Sequence, residues 1–192
     1  MLQLSQRVLL IGAAALCLLF CAAWVTFALS KPGFETVLPR ASSARSGLRN
    51  LALFDEGLVV RVSSNERPGR HHPAYALDGH PPAIFNQKWL SAVGDNAPWI
   101  EVRFHAPHSI EHIALRFTSH LEPNAPVPNV YALTCIKATG KQEQVPVRNN
   151  TDADPTHPLP CKQAEGIRID FPPHGQPAGE QVGVMELQVW GQ

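Results

Sequence analysis

The chain of 192 residues has no surplus of either charge: Lys and Arg total 16, Asp and Glu total 16, and the formal net charge is zero. Nucleic-acid binders normally carry a basic excess or stripe, so the balance argues against that class. Aromatic residues make up only 7% and cysteines number 4. Cys17 and Cys21 fall inside an apolar run, which leaves Cys135 and Cys161 as the pair outside it. No stretch after the first 30 residues shows sustained helical periodicity, and no internal repeat is visible. No serine sits in a Gly-x-Ser-x-Gly elbow, and no other nucleophile–base arrangement stands out. Cys135 lies in an apolar strand pattern that suits packing better than a reactive thiolate. Sequence alone leaves open a carboxylate pair of the glycosidase kind.

Turns are what the sequence has in quantity. The chain has 18 Pro and 13 Gly, most of them beyond residue 60. Between them recur short strand candidates: "LVVRV" (Leu58–Val62), "WIEVRF" (Trp99–Phe104), "IEHIALRF" (Ile110–Phe117), "VYALTCIKA" (Val130–Ala138), "GIRIDF" (Gly166–Phe171) and "GVMELQVW" (Gly183–Trp190). In "NAPWIEVRF", Ile100, Val102 and Phe104 alternate with Glu101 and Arg103, as in a half-buried antiparallel strand. Many short strands separated by turn chemistry indicate an all-β sandwich or barrel. A domain of about 140 residues buries enough apolar surface to fold alone.

The amino-terminal segment is different. "VLLIGAAALCLLFCAAWVTFAL", Val8–Leu29, carries no charge and is long enough for a helix that spans a bilayer, which takes about 20 apolar residues. Cleaved signal peptides have shorter apolar cores, so the length favours an uncleaved transmembrane anchor over residues 1–30. Residues 31–49, with "ASSARSGLR", read as a linker, and residues 50–192 as the folded domain. A flexible linker of this length reaches on the order of 25 Å. The side of the membrane is contested. Arg7 precedes the helix while Lys31, Arg40, Arg45 and Arg49 follow it, which would place the domain in the cytoplasm. Cys135 and Cys161 could instead form the staple of an oxidising compartment, or remain two buried thiols; spacing does not pair them. Pairing is the expectation tested below, with Cα atoms within about 7 Å.

The order of short motifs is more specific than their composition. "NLAL", "VRVSSNERPGRHHPAYALDGH", "KWLS", "PWIEVRF", "PHSIEHIALRF" and "GVMELQVWG" follow one another from Asn50 to the end of the chain. The series resembles the coagulation factor V/VIII type C, or discoidin, domain, a relative of family 32 carbohydrate-binding modules. The resemblance implies a galactose-binding-like jelly-roll β-sandwich and a non-catalytic binding module. It places the domain on the periplasmic or extracellular side. It also implies that Trp89 and Trp99 are core tryptophans, with Pro98 aiming Trp99 into the sheet.

Site residues follow from the same resemblance. Relatives hold a structural calcium ion with an Asp in an Asp-Gly turn, a Thr before the first Trp, and a Glu on the last strand. Asp78 and Glu186 match, and Gln87 stands in place of the Thr; the alternative reading is that Asp78 simply caps its own turn. Sugar contacts are expected on "NERPGRHH", "GHPPAIFNQ" and "TSHLEPNAP", giving His71, His72, Phe85, His120, Glu122 and Asn124 as candidates. Phe85 is either a stacking platform or a loop filler. The third loop lacks the Arg by which many relatives hold the sugar. The three histidines of "HAPHSIEH" (His105, His108 and His112) are a poor zinc set, since a link between two strands does not converge them. The expected partner is a carbohydrate, or alternatively an envelope protein docked on the same loops. The chain's ends are expected together, on the side opposite those loops.

Overall fold

A computed structural model describes residues 47–54, 58–80, 87–173 and 180–192. These belong to one compact unit. The apolar run Val8–Leu29 and the loop residue Phe85 lie outside the described residues. Among those described, no helix is long and apolar enough to cross a membrane.

The described chain is almost entirely strand: β1 (Arg49–Asn50), β2 (Val59–Val62), β3 (Trp89–Leu90), β4 (Trp99–Phe117), β5 (Tyr131–Lys137), β6 (Gln142–Val147), β7 (Thr156–Asp170) and β8 (Gly183–Gly191). Two short 3-10 turns, Pro73–Leu77 and Thr118–His120, interrupt them. All pairings are antiparallel, in the order β1-β8-β4-β7-β5-β6, with β2 added to β4 and β3 to β8.

The expected turn between "WIEVRF" and "IEHIALRF" is absent; the two are one strand, β4. Its first part, Ile100–Arg103, pairs with β2 and with the end of β7. Its second part, Ile110–Phe117, pairs with β8, and Ile110–Ala114 also pair with the beginning of β7. Strands β4 and β7 thus pass together from one layer of the sandwich to the other. Successive register shifts between Arg103 and His112 mark the fold line. Pro107 falls in that shifted stretch, where its missing N–H interrupts no regular ladder.

The first half of β7 and all of β6 were hidden for a related reason. Pro158 and Pro160 make Thr156–Glu165 look like loop, yet both prolines are exposed while Leu159 and Cys161 point inward and are buried. Strand β6 pairs only with β5 and buries none of its residues, so it has no apolar alternation to reveal it. Its Pro146 and Glu143 suit an edge that must not recruit another strand.

The two layers close on an aromatic cluster. Trp89, Phe117, Tyr131 and Phe171 are each at most 1% exposed. Their ring centroids lie 5.6 Å apart for Phe117–Tyr131, 6.2 Å for Phe117–Phe171 and 6.5 Å for Trp89–Phe171. The Trp89 indole N–H donates to the Ser64 carbonyl at 3.0 Å, so burial leaves no unpaired donor. A disulfide joins Cys135 of β5 to Cys161 of β7, with Cα atoms 6.5 Å apart.

Trp99 is not a core residue. It is half-buried, and the Arg168 guanidinium lies 4.1 Å from its ring centre. Alternation puts Trp99 with Glu101 and Arg103 on the outer face, opposite Ile100 and Val102. There Glu101 is buried beneath salt bridges to Arg103 at 2.8 Å and Arg168 at 3.8 Å.

Both ends of the domain meet at the end of β8, where Arg49 pairs with Gly191 and Asn50 with Trp190. The Asn50 side-chain oxygen accepts from the backbone N–H of Ala52 at 3.0 Å and of Val189 at 2.9 Å. Asn50→Ala would leave two buried amides without an acceptor, and should lower unfolding stability by about 2 kcal/mol in urea titration. An unchanged midpoint would show that neither bond matters.

Candidate functional site

Strand β8 runs from the loop end of the sandwich to the end where the termini pair. Its nine residues separate the two by roughly 25–30 Å. At the loop end, Thr118 packs on Gly183 so closely that a Cβ at 183 would fall 1.8 Å from Thr118 Oγ1. Only glycine permits that approach. The neighbouring segments are tied by Ser91: its Oγ accepts from the Val182 N–H at 3.0 Å, and its carbonyl accepts from the Gln181 side chain at 2.7 Å. The same Gln181 amide donates to Glu66 at 2.6 Å, which brings in the loop after β2.

These ties leave a hollow of about 190 Å³, lined by Lys88, Leu90, Thr118, Glu122, Asn124, Ala125, Pro126, Glu180, Gln181 and Gly183. Lys88 is 5% exposed and forms an ion pair with Glu122, 34 residues along the chain. The Glu122 N–H bonds the Thr118 carbonyl at 3.0 Å and its own carbonyl accepts from Ala125 at 2.8 Å, which shapes the wall. The Thr118 hydroxyl is buried and has no hydrogen-bond partner among the described residues. The hollow therefore offers two carboxylates, two amide side chains and an unsatisfied hydroxyl beside a small apolar wall.

Of the expected sugar contacts, Glu122 and Asn124 line this hollow. His120 does not line it; its ring pairs with Asp154 at 2.6 Å, and Asp154 also accepts from Arg116 at 2.9 Å. His72 is exposed, and its Nδ1 accepts from the Ala74 N–H at 3.2 Å as the cap of the first 3-10 turn. His71 was expected among the outermost residues and is instead buried, at 7% exposure. The loop turns it inward just before Pro73. Lys88, Thr118, Glu180 and Gln181 went unforeseen. Lys88 stands beside core Trp89 in "KWLS", and nothing local points it at Glu122.

A second constellation lies farther along β8. Glu186 is 4% exposed, and neither carboxylate oxygen has a hydrogen-bond partner among the described residues. Burial first, then the charge of Asp78, pushes its carboxyl from the ordinary 4.5 up to about 8. The Gly79 N–H, the Gln188 side chain and Arg116, its cross-strand neighbour, pull the other way without completing a bond of normal geometry. Asp78 accepts from the His80 N–H at 2.9 Å and so does close its own turn. A buried, orphaned carboxylate beside a second one suits an oxygen-seeking divalent cation. Gln87 is half-buried two residues before Trp89 and supplies only a neutral oxygen. Among the described residues no group of three or more His, Cys, Asp or Glu converges. A calcium ion here would therefore take most of its oxygens from carbonyls.

The histidines at the other end do separate things. His105 is exposed, His108 sits edge-on to Phe104 at 5.5 Å, and His112 stacks on Trp190 at 6.1 Å.

No family sequence model matches the chain, and no curated protein matches it in sequence. Solved structures do match. A fucose-binding module from Streptococcus pneumoniae is 15% identical with a TM-score of 0.60, covering 75% of this chain and 98% of that one. Chitosan-binding module 1 of a chitosanase/glucanase from Paenibacillus sp. is 18% identical with a TM-score of 0.60, covering 74% and 99%. The family 32 carbohydrate-binding module of C. perfringens NanJ, solved with galactose, is 18% identical with a TM-score of 0.56, covering 74% and 98%. The chain has the galactose-binding-like β-sandwich fold of the family 32 carbohydrate-binding modules, a fold related to discoidin domains.

Proposed function

We propose that this protein is a non-catalytic carbohydrate-binding module, held by Val8–Leu29 on the periplasmic or extracellular side of a membrane. The observation that carries the reading is the polar hollow at the loop end, on the side of the sandwich away from the paired termini. The described chain enters the domain at Arg49, at the end opposite the hollow. Glu122, Asn124 and Gln181 supply the directional hydrogen-bonding groups that sugar hydroxyls need. Structural neighbours described as binding fucose, chitosan and galactose support the same class of ligand. The Cys135–Cys161 disulfide supports an oxidising compartment.

A structural calcium ion held by Asp78 and Glu186, with Gln87 and backbone carbonyls, belongs to this reading. When bound, it would neutralise the two carboxylates and fasten the Asp78–Gly79 turn to β8.

A glycan array probed with the protein, followed by calorimetry on the best sugars, tests the function. Binding should appear, and Asn124→Ala should weaken it about 5-fold, the loss of roughly one hydrogen bond. No binding to any sugar, together with a sugar-independent pull-down of an envelope protein, would replace the reading with an adaptor.

A further inference from the structure

We infer that the hollow selects a sugar bearing a free, protonated amine over neutral and acidic sugars; this rests on the carbohydrate-binding reading and names the ligand class. The charges decide it. Lys88 is the one cation lining the hollow among the described residues, and its side chain is 6% exposed and already paired with Glu122. It has little positive charge left to offer a ligand. Glu122 pairs through Oε1, which leaves Oε2, and its side chain is 33% exposed. Glu180 is exposed on the rim and makes no ion pair among the described residues. Among the described residues, an incoming carboxylate thus meets two carboxylates and no available cation, while an ammonium meets two acceptors of opposite charge.

A second observation is independent of charge. Thr118 is 5% exposed, lines the hollow, and its hydroxyl has no partner among the described residues. A buried hydroxyl left unpaired is costly, so it is a place for a ligand's hydrogen bond. The Thr118 oxygen accepts an ammonium N–H or a ring hydroxyl equally well. The amine therefore sits between Glu122 and Glu180, with the sugar's hydroxyls toward Thr118, Asn124 and Gln181.

The test is calorimetry of the full-length protein in detergent, at about pH 6, where amino sugars are protonated. The probes are a glucosamine oligomer, its N-acetylated counterpart, galactose and galacturonate. The free-amine oligomer should bind about 10-fold more tightly than its N-acetylated form, with galacturonate weakest. Glu180→Gln, at an exposed position, should reduce that preference most of the way to parity. Raising the salt to about 0.5 M should do the same. Equal or tighter binding of the N-acetylated, neutral or acidic sugar would overturn the inference and leave the carbohydrate reading standing. A preference unchanged in Glu180→Gln would place the amine elsewhere and overturn it too. Failure to bind any of the probes or any arrayed glycan would remove the carbohydrate reading itself.

Discussion

Replacing Glu186 with Gln should raise the melting temperature of the calcium-free protein at pH 8 to 9 and abolish its response to calcium. The carboxyl of Glu186 is pushed up to about 8 in the folded state, against 4.5 ordinarily, by burial and by Asp78. Folded protein therefore binds a proton at Glu186 that unfolded protein has already released. The favourable contribution of the protonated group is complete below about pH 4.5 and is lost as the pH climbs through about 8. Chelated protein should lose on the order of 3–4 kcal/mol across that window. Gln keeps the shape without the charge, so the variant should be flat where the parent slopes downward. Calcium should oppose the slope in the parent, adding about 2.7 kcal/mol at a hundredfold excess over its Kd. A variant less stable than the parent in chelator at pH 8 to 9 would mean that the carboxylate is satisfied by groups other than a metal.

Removal of the disulfide should cost a similar amount by another route. Cys135 and Cys161 are 26 residues apart in sequence. Opening a loop of that size restores about 3.5 kcal/mol of chain entropy to the unfolded state. The Cys135→Ala/Cys161→Ala variant should melt about 10 °C lower than the parent. Both sulfurs are buried, so small cavities add to the loss. Reductant should bring the parent down to the variant and leave the variant unmoved. A variant as stable as the parent, or a reductant response in both, would show that the bridge does not hold β5 to β7.

The sequence exposed the parts of this fold that obey local rules. Alternation in Ile100, Val102 and Phe104 showed the inward face of β4, and applied one residue earlier it would have placed Trp99 outside. The family resemblance pulled Trp99 into the core instead, and Arg168, 69 positions away, is what covers its ring. Strand β7 was half invisible because prolines at exposed positions break the reading without breaking the strand. Strand β6 was wholly invisible because a solvent-facing edge has no apolar face.

The sites divide in the same way. Asp78 and Glu186 each announce themselves by motif, and the structure brings their charges into range of one another. Glu122 and Asn124 were legible because their loop was. Their partners were not: Lys88 meets Glu122 across 34 residues, and Gln181 meets Glu66 across 115. Contacts of that separation are set by layer packing, for which a single sequence carries no local signal. His71 and His72 show the reverse error. A pair of histidines in a turn-rich loop looks like ligand chemistry, while one is buried and the other caps a 3-10 turn.

The most direct test of the central claim is a map of where a sugar touches the molecule. Backbone amide NMR spectra of isotope-labelled protein, titrated with the best glycan from an array, would supply it. Shifts should concentrate at Thr118, Glu122, Asn124, Gln181 and Gly183, and leave Asn50, Ser109 and Gly191 still. Shifts gathered instead around the paired termini, or none with any glycan, would contradict the account.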